Sequence, residues 1–370
     1  NQSIEKINGI SIDSRIIEPY DIFIPIKGEK VDGHNFISSV LKIKGTICFD
    51  ERLKQKNKRI IKSQSNKEVL INMASLWRKN IKSKIIAITG SNGKTTTKEL
   101  LYHIMKNKFK CSKSKDNHNS TIGLPLTFLN CNINDQYTIL ELGANKDGEI
   151  GKLCSAIKPD YSLITNISNS HIGNFRSIEE IAECKSKIFS YLKKDGIAFL
   201  NMNDKMIKKM NIDSKKVTFG MNNIKAKYNG SLKNNSLIRI NKTTFDIPKD
   251  IIHLNESILS VYAICNYLGI EDKIIQEGLN TFEIPIGRGS IIDNNKYIII
   301  NDAYNASPAS MKFGIERFSK MKKLNHKILI IGDMLELGEH EIIEHKNLAK
   351  LINTASIDIV LSIGNLMHYM

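Results

Sequence analysis

The chain has 370 residues, enough for two or three domains that each bury a core. Six cysteines without a CxxC pair speak against a zinc centre or a disulfide framework and fit a reducing cytoplasm, and no apolar run approaches a membrane span, so neither membrane insertion nor a secretory leader is expected. The net charge of +16 (54 Lys and Arg against 38 Asp and Glu) follows a bias to Lys, Asn and Ile along the whole chain, and the densest basic stretch, Lys54 to Lys67, has no interleaved aromatics, so a nucleic-acid surface is not expected.

Residues 1–82 alternate short apolar runs with Gly and Asp turns, as in DIFIPIKGEKVDGH and GTICFD, and read as a small α/β domain. A polar stretch from Asn57 to Lys67 precedes a helix-like segment, Val69 to Lys79. A second unit, 83–285, opens with IIAIT, a glycine turn, and TTTKELLYHIM with helical spacing of Leu100, Leu101 and Ile104. Further strands are predicted at 138–142, 162–167, 197–201 and 216–220, with helices between several of them. That alternation predicts a mostly parallel, doubly wound α/β sheet. A third unit, 286–370, holds KYIIINDAY, a helix from Ser307, HKILIIGDM, a helix from Glu341, and DIVLSIG.

The strongest chemical signal is Gly90-Ser91-Asn92-Gly93-Lys94-Thr95-Thr96 at a strand-to-helix junction. Glycines let the backbone wrap a phosphate, the helix N-terminus adds positive potential, Lys94 suits the β- and γ-phosphates of ATP, and Thr95 suits Mg²⁺. Ile88 stands where a full GxxxxGK[ST] loop has its first glycine. An ordinary glycine turn is the plainer alternative.

This shortened loop resembles that of the Mur ligase family, and the resemblance runs in order along the chain. It is carried by Ile12-Asp13-Ser14-Arg15, Asp32-Gly33-His34, Asn117-His118-Asn119, Glu141-Leu142-Gly143-Ala144-Asn145, Asn166-Ile167 with His171, Ala182-Glu183-Cys184-Lys185, Gly287-Arg288, Asp302-Ala303-Tyr304-Asn305-Ala306-Ser307-Pro308 and Gly332-Asp333-Met334-Leu335-Glu336-Leu337-Gly338. The family's architecture implies three domains: a uridine-nucleotide domain (1–82), a central P-loop-type ATP domain (83–285) and a Rossmann-like ligase domain (286–370). The last interval is shorter than the roughly 100 residues usual for such a domain, and the family's closing strands are absent from it. The chain is therefore expected to be a fragment, or its last domain to be reduced; the initial Asn in place of Met points to clipping at the other end as well.

The segments GANKDGEI and DAYNASP resemble the family members that add D-alanyl-D-alanine to UDP-N-acetylmuramoyl-tripeptide. That resemblance implies an acyl-phosphate route, with Lys94, Lys185, His171 and Arg288 as catalytic residues. It implies a first Mg²⁺ on Thr95 and Glu141, and a second on His171 and Lys185, the lysine carbamylated by CO₂. Asp302, Tyr304 and Asn305 would contact the nucleoside, and Ser14, Arg15, Asn117 and Asn119 the UDP-linked substrate. A cytoplasmic monomer is expected. Read singly, Lys185 is a solvated helix lysine, His171 a loop histidine, Glu141 a capping carboxylate, and Ser307-Pro308 a helix start.

The chain departs from the family at Ser120 and Thr121, and at Leu254 and Ser257 beside His253, which leaves adenine contacts from that helix open, with Asn255 as a substitute. Two alternatives stand beside the leading one. A superfamily ligase adding a single amino acid would share the loop and the metal residues. A non-catalytic nucleotide-binding remnant would account for the shortened last domain.

Overall fold

The computed structural model describes residues 7–52, 57–115, 118–169, 172–234, 236–321 and 326–370. The first unit is a four-stranded parallel sheet, β1 (Ile10–Ser11), β2 (Ile22–Phe23), β3 (Ile47–Asp50) and β4 (Ile60–Lys62), in sequential order. β4 lies inside the stretch that reads as polar, because only Ile60 of its three residues faces inward. The following helix, Asn66–Asn80, is capped by Ser65, whose hydroxyl accepts from the Glu68 amide.

The central sheet has nine strands: β5 (Lys84–Thr89), β6 (Cys111–Lys113), β7 (Tyr137–Glu141), β8 (Tyr161–Ile164), β9 (Ile197–Asn201), β10 (Lys215–Met221), β11 (Tyr228–Lys233), β12 (Leu237–Ile240) and β13 (Thr243–Asp246). Their order is β13-β12-β11-β10-β9-β8-β5-β7-β6, with β6 to β11 parallel and β12 and β13 antiparallel. The run at 85–88 is wholly apolar because both faces of β5 are covered. Ile86 and Ile88 join Leu100, Leu101 and Ile104 of the helix Lys94–Met105 in one core, while Ile85 and Ala87 join Leu140, Ala156 and Ile157 in the other. The chain leaves β5 for β6 and β7 on one side and then crosses to β8 on the other. The carboxyl ends of β5, β7 and β8 thus meet at a switch point, where open α/β sheets bind ligands.

The third unit holds an antiparallel pair, β14 (Ser290–Asp293) and β15 (Ile298–Asn301), and a parallel pair, β16 (Ile328–Gly332) and β17 (Ile359–Ile363). It has four strands where the sequence predicts three; β14 is short and mostly exposed, so burial left little pattern in it. The helices Pro308–Ser319 and Glu341–Asn353 contribute Ile315, Leu348 and Ile352 to a small core with Ile331, Met334 and Met367. Ser307 caps the first of them in a capping box with Ser310, and Pro308 takes the first helical position.

Candidate active site

The loop after β5 is fixed from the neighbouring strand. Gly90 has φ 149°, and a Cβ there would lie 1.9 Å from Thr165 Oγ1, so only glycine brings β5 this close to the end of β8. The Ser91 amide donates to Asn166 O (2.9 Å) and the Asn92 amide to Asn166 Oδ1 (3.0 Å). Thr165 Oγ1 donates to Asn92 O (2.6 Å), and Asn92 Nδ2 donates to Ser168 Oγ (2.9 Å). Gly93, at φ 76°, is the N-cap of the helix that begins at Lys94. Lys94 Nζ donates to Gly90 O (2.9 Å) and Ser91 O (3.2 Å), so the ammonium arches over the loop. Burial pushes its pKa down; Glu141 opposes the shift and Arg288 adds to it. Thr96 is turned into the protein.

Glu141, the last residue of β7, is 1% exposed. Its Oε1 accepts from Thr95 Oγ1 (3.2 Å) and from Asn119 Nδ2 (2.9 Å), while Oε2 is buried without a hydrogen bond. Arg288, from the third unit, donates through Nη2 to Thr95 Oγ1 (3.1 Å), and its guanidinium lies 3.6 Å from the centroid of the Tyr304 ring. Lys94, Thr95, Glu141 and Arg288 thus share one site at the switch point, and Asn119 joins them through Glu141 instead of standing apart.

Lys185 lies on the helix Ile178–Ser190 and is 4% exposed, not solvated as its local sequence suggests. Burial, with repulsion from Lys94, pushes its amine down to about 7. His171 and Asn117 lie outside the described residues.

Mg²⁺ demands hard oxygen ligands and commonly takes only one or two carboxylates, with phosphate and water completing its shell. The Thr95 hydroxyl and Glu141 Oε1, which lie 3.2 Å apart, fit that donor set. Among the described residues no group of three His, Cys, Asp or Glu side chains converges.

A cleft of about 270 Å³ lies between the units, lined by His253 and Asn255 of the central one and Phe313 and Arg317 of the third, among others. The His253 and Phe313 ring centroids lie 6.4 Å apart, with their planes tilted by 33°. Burial, helped by Arg317, pushes His253 down to about 4, leaving a neutral imidazole. Ser257 Oγ accepts from Thr97 Oγ1 (3.1 Å) and so braces the loop helix. Asp302 is raised by burial against the pull of Arg288 and Arg317. Tyr304 is held on Arg288 by its ring, and Asn305 is exposed. Sequence reasoning missed Phe313 and Arg317, which stand one turn apart on the helix after Pro308 and carry no motif of their own.

Ser14 and Arg15 occupy the turn after β1; Arg15 Nη2 pairs with Asp13 Oδ2 at 2.6 Å, and that guanidinium holds the Asp13 carboxyl down at about 2. No hydrogen bond links Ser14 or Arg15 to the loop cluster among the described residues.

Three family descriptions match the chain in succession: "Mur ligase family, catalytic domain" over 6–82, "Mur ligase middle domain" over 88–269, and "Mur ligase, glutamate ligase domain" over 287–368. The UDP-N-acetylmuramoyl-tripeptide–D-alanyl-D-alanine ligase of Bacillus subtilis is 32% identical over 97% of this chain and 80% of its own length. The enzyme of the same name from Buchnera aphidicola (subsp. Baizongia pistaciae) is 34% identical over 98% and 81%. The crystal structure of MurF ligase from Thermotoga maritima in complex with ADP superposes with a TM-score of 0.89 at 26% identity, covering 100% of this chain and 87% of that one. With its phosphate loop, its end-of-strand carboxylate and its arginine from the following unit in place, the chain belongs to the Mur ligase family.

Proposed function

We propose that this protein joins the amine of D-alanyl-D-alanine to the terminal carboxylate of UDP-N-acetylmuramoyl-tripeptide, converting ATP to ADP and phosphate. The observation that carries the reading is the convergence of Lys94, Thr95 and Glu141 with Arg288 from another unit, in a chain whose relatives of that activity align over nearly all of it.

The first step brings anions together. A substrate carboxylate oxygen attacks the γ-phosphorus, its O–P bond forms, the bond to the bridging oxygen breaks, and ADP leaves. Lys94, Arg288 and the loop amides at the helix N-terminus offset the charge on the transferring group. The dipeptide amine then attacks the acyl carbon, loses a proton, and phosphate departs with the electrons of the C–O bond. Thr95 and Glu141 would hold Mg²⁺, which would supply positive charge to offset the negative charge that develops on the transferring group.

The adenine is assigned to the slot between His253 and Phe313.

Lys185 is assigned to a carbamate that holds a second Mg²⁺ together with His171. A buried amine at about 7 is substantially neutral at physiological pH, and the neutral amine is the form that adds to CO₂. We further assign 1–82 to the uridine nucleotide, through Ser14 and Arg15, 83–285 to ATP, and 286–370 to closure and to the nucleoside contacts of Asp302, Tyr304 and Asn305. Asn117 and Asn119 are assigned to the UDP-linked substrate. The enzyme is proposed to act as a cytoplasmic monomer.

The test supplies ATP, the UDP-linked tripeptide and one amine at a time, and follows phosphate release. D-alanyl-D-alanine should support turnover and single amino acids should not; turnover with a single amino acid alone would replace this reading. Depleting bicarbonate should slow the wild-type enzyme, and acetate should partly restore Lys185→Ala. A Lys185→Ala enzyme at wild-type rate would remove the carbamate.

A further inference from the structure

Lys98 is the most deeply buried cation among the described residues, at 0% exposure, and the reaction scheme above does not use it. It lies on the loop helix three residues after Thr95, so the two side chains leave the same face. Its Nζ donates to Ser114 O (2.9 Å) and lies 3.0 Å from Glu99 Oε1 and 3.8 Å from Glu141 Oε2. Ser114 closes the arrangement, since its hydroxyl accepts from the Glu141 amide at 3.0 Å.

The Glu141 carboxylate is therefore bracketed. Oε1 faces Thr95 and Asn119, where the cation is assigned, and Oε2 faces the Lys98 ammonium from behind. A carboxylate this buried needs a compensating charge, or it takes up a proton or turns towards water. Lys94 cannot fill that role alone, because the phosphates claim its charge once ATP arrives.

We propose that Lys98 is a positioning residue that fixes the Glu141 carboxylate for the divalent cation at the phosphate loop. The inference rests on the assignment of that cation to Thr95 and Glu141. A second effect works against it: a cation behind the carboxylate also repels Mg²⁺. Orientation should prevail, because Lys98 stands on the far side of the carboxylate and without it the ligand itself is lost. Groups that orient a metal ligand typically change metal affinity by about 10- to 100-fold when removed.

The test is calorimetry of ADP binding to the full chain without Mg²⁺ and across a Mg²⁺ titration, for wild type, Lys98→Met, Lys98→Arg and Glu141→Gln. Lys98→Met should bind ADP without metal within about twofold of wild type while needing about 10- to 100-fold more Mg²⁺ to tighten it. Lys98→Arg, which keeps the charge but moves it, should fall between. A purely structural lysine would lower the melting temperature and leave the Mg²⁺ requirement unchanged. An unchanged or reduced requirement in Lys98→Met overturns the proposal, the reduced one showing that repulsion dominates. If Lys98→Met does not fold, Lys98→Arg decides on the same criterion: a raised requirement supports the proposal and an unchanged one overturns it. Glu141→Gln with a wild-type Mg²⁺ response would instead remove the metal assignment beneath it.

Discussion

The two outer units are joined to the central one in opposite ways. On the N-terminal side the helix Asn66–Asn80 is sunk into the central fold. Ile71 and Ala74 belong to a central hydrophobic core, and Arg78 Nη2 meets Asp160 Oδ2 at 2.7 Å with both side chains under 8% exposed. Arg78 also donates to Ser83 O (3.2 Å) and Lys158 O (3.3 Å). On the C-terminal side the contacts among the described residues are mostly polar or made by backbone, namely Arg288 to Thr95, Ser307 Oγ to Asn92 Oδ1 (3.4 Å) and the Gly173 amide to Glu336 O (2.9 Å), with Ile172 packed against the third unit's small core and the His253 ring against that of Phe313. Between them runs a cavity of about 500 Å³, bounded by Ser168 and Ile178 on one side and Lys312 and Leu348 on the other. The first junction is built as interior and the second as a surface that meets another surface, as suits an active site completed by closure.

The comparison is broken most sharply at Arg288. Arg288→Ala should lower kcat by about 10³- to 10⁵-fold, as loss of an arginine serving a phosphoryl group does, with the melting temperature almost unmoved. Stopped-flow phosphate release and calorimetry read both; a large fall in melting temperature would make this junction structural after all. Arg78→Met should do the reverse. It removes the buried partner of Asp160, which keeps Lys84 (3.4 Å), Lys193 (3.3 Å) and the Ile85 amide (2.8 Å), so the cost should fall below the about 3–5 kcal/mol of leaving a buried charge unpaired. Urea unfolding should show that loss while the folded fraction keeps its KM for ATP, and a change confined to KM would show that the N-terminal junction also moves during turnover.

Gly173→Ala sharpens the contrast. A Cβ at Gly173 would lie 2.5 Å from Gly338 N and 2.8 Å from Glu336 O, both backbone atoms of the third unit. The clash should cost about 1–3 kcal/mol. On the closure proposed above, the cost should appear as weaker closure, with kcat/KM down and the urea midpoint nearly constant. A midpoint that falls in proportion would mean that the two units are fused here as firmly as at Arg78.

Much of this site was legible in the sequence because motif residues sit where strands end. GSNGKTT follows the apolar run of β5, Glu141 closes β7, and parallel pairing with β5 brings those ends together. What escaped reading depends on long-range burial. Lys98 and Lys185 look like ordinary helix lysines, since local spacing does not reveal that a neighbouring carboxylate or helix will cover them. Phe313 and Arg317 matter only because the third unit faces His253. The hairpin strands β11 to β13 were also missed: their alternation of Leu232, Ile238, Ile240 and Phe245 is broken up by asparagine-rich turns. Asn119, read as a substrate residue, lies within hydrogen-bond reach of Glu141, a closeness that sequence spacing alone does not express.

The stack of Arg288 on Tyr304 has a consequence for temperature. A free arginine side chain carries about 2 kcal/mol of rotamer entropy, which a group recruited from solvent would lose at every encounter. Here both partners belong to the third unit, so the guanidinium is ordered when that unit folds. On the closure proposed above, an already oriented cation would reach the phosphates, and the entropic part of the activation barrier should be smaller than for an unstacked arginine. Replacing Tyr304 with a small residue would return that ordering to each turnover, making the activation entropy more negative while leaving the charge in place.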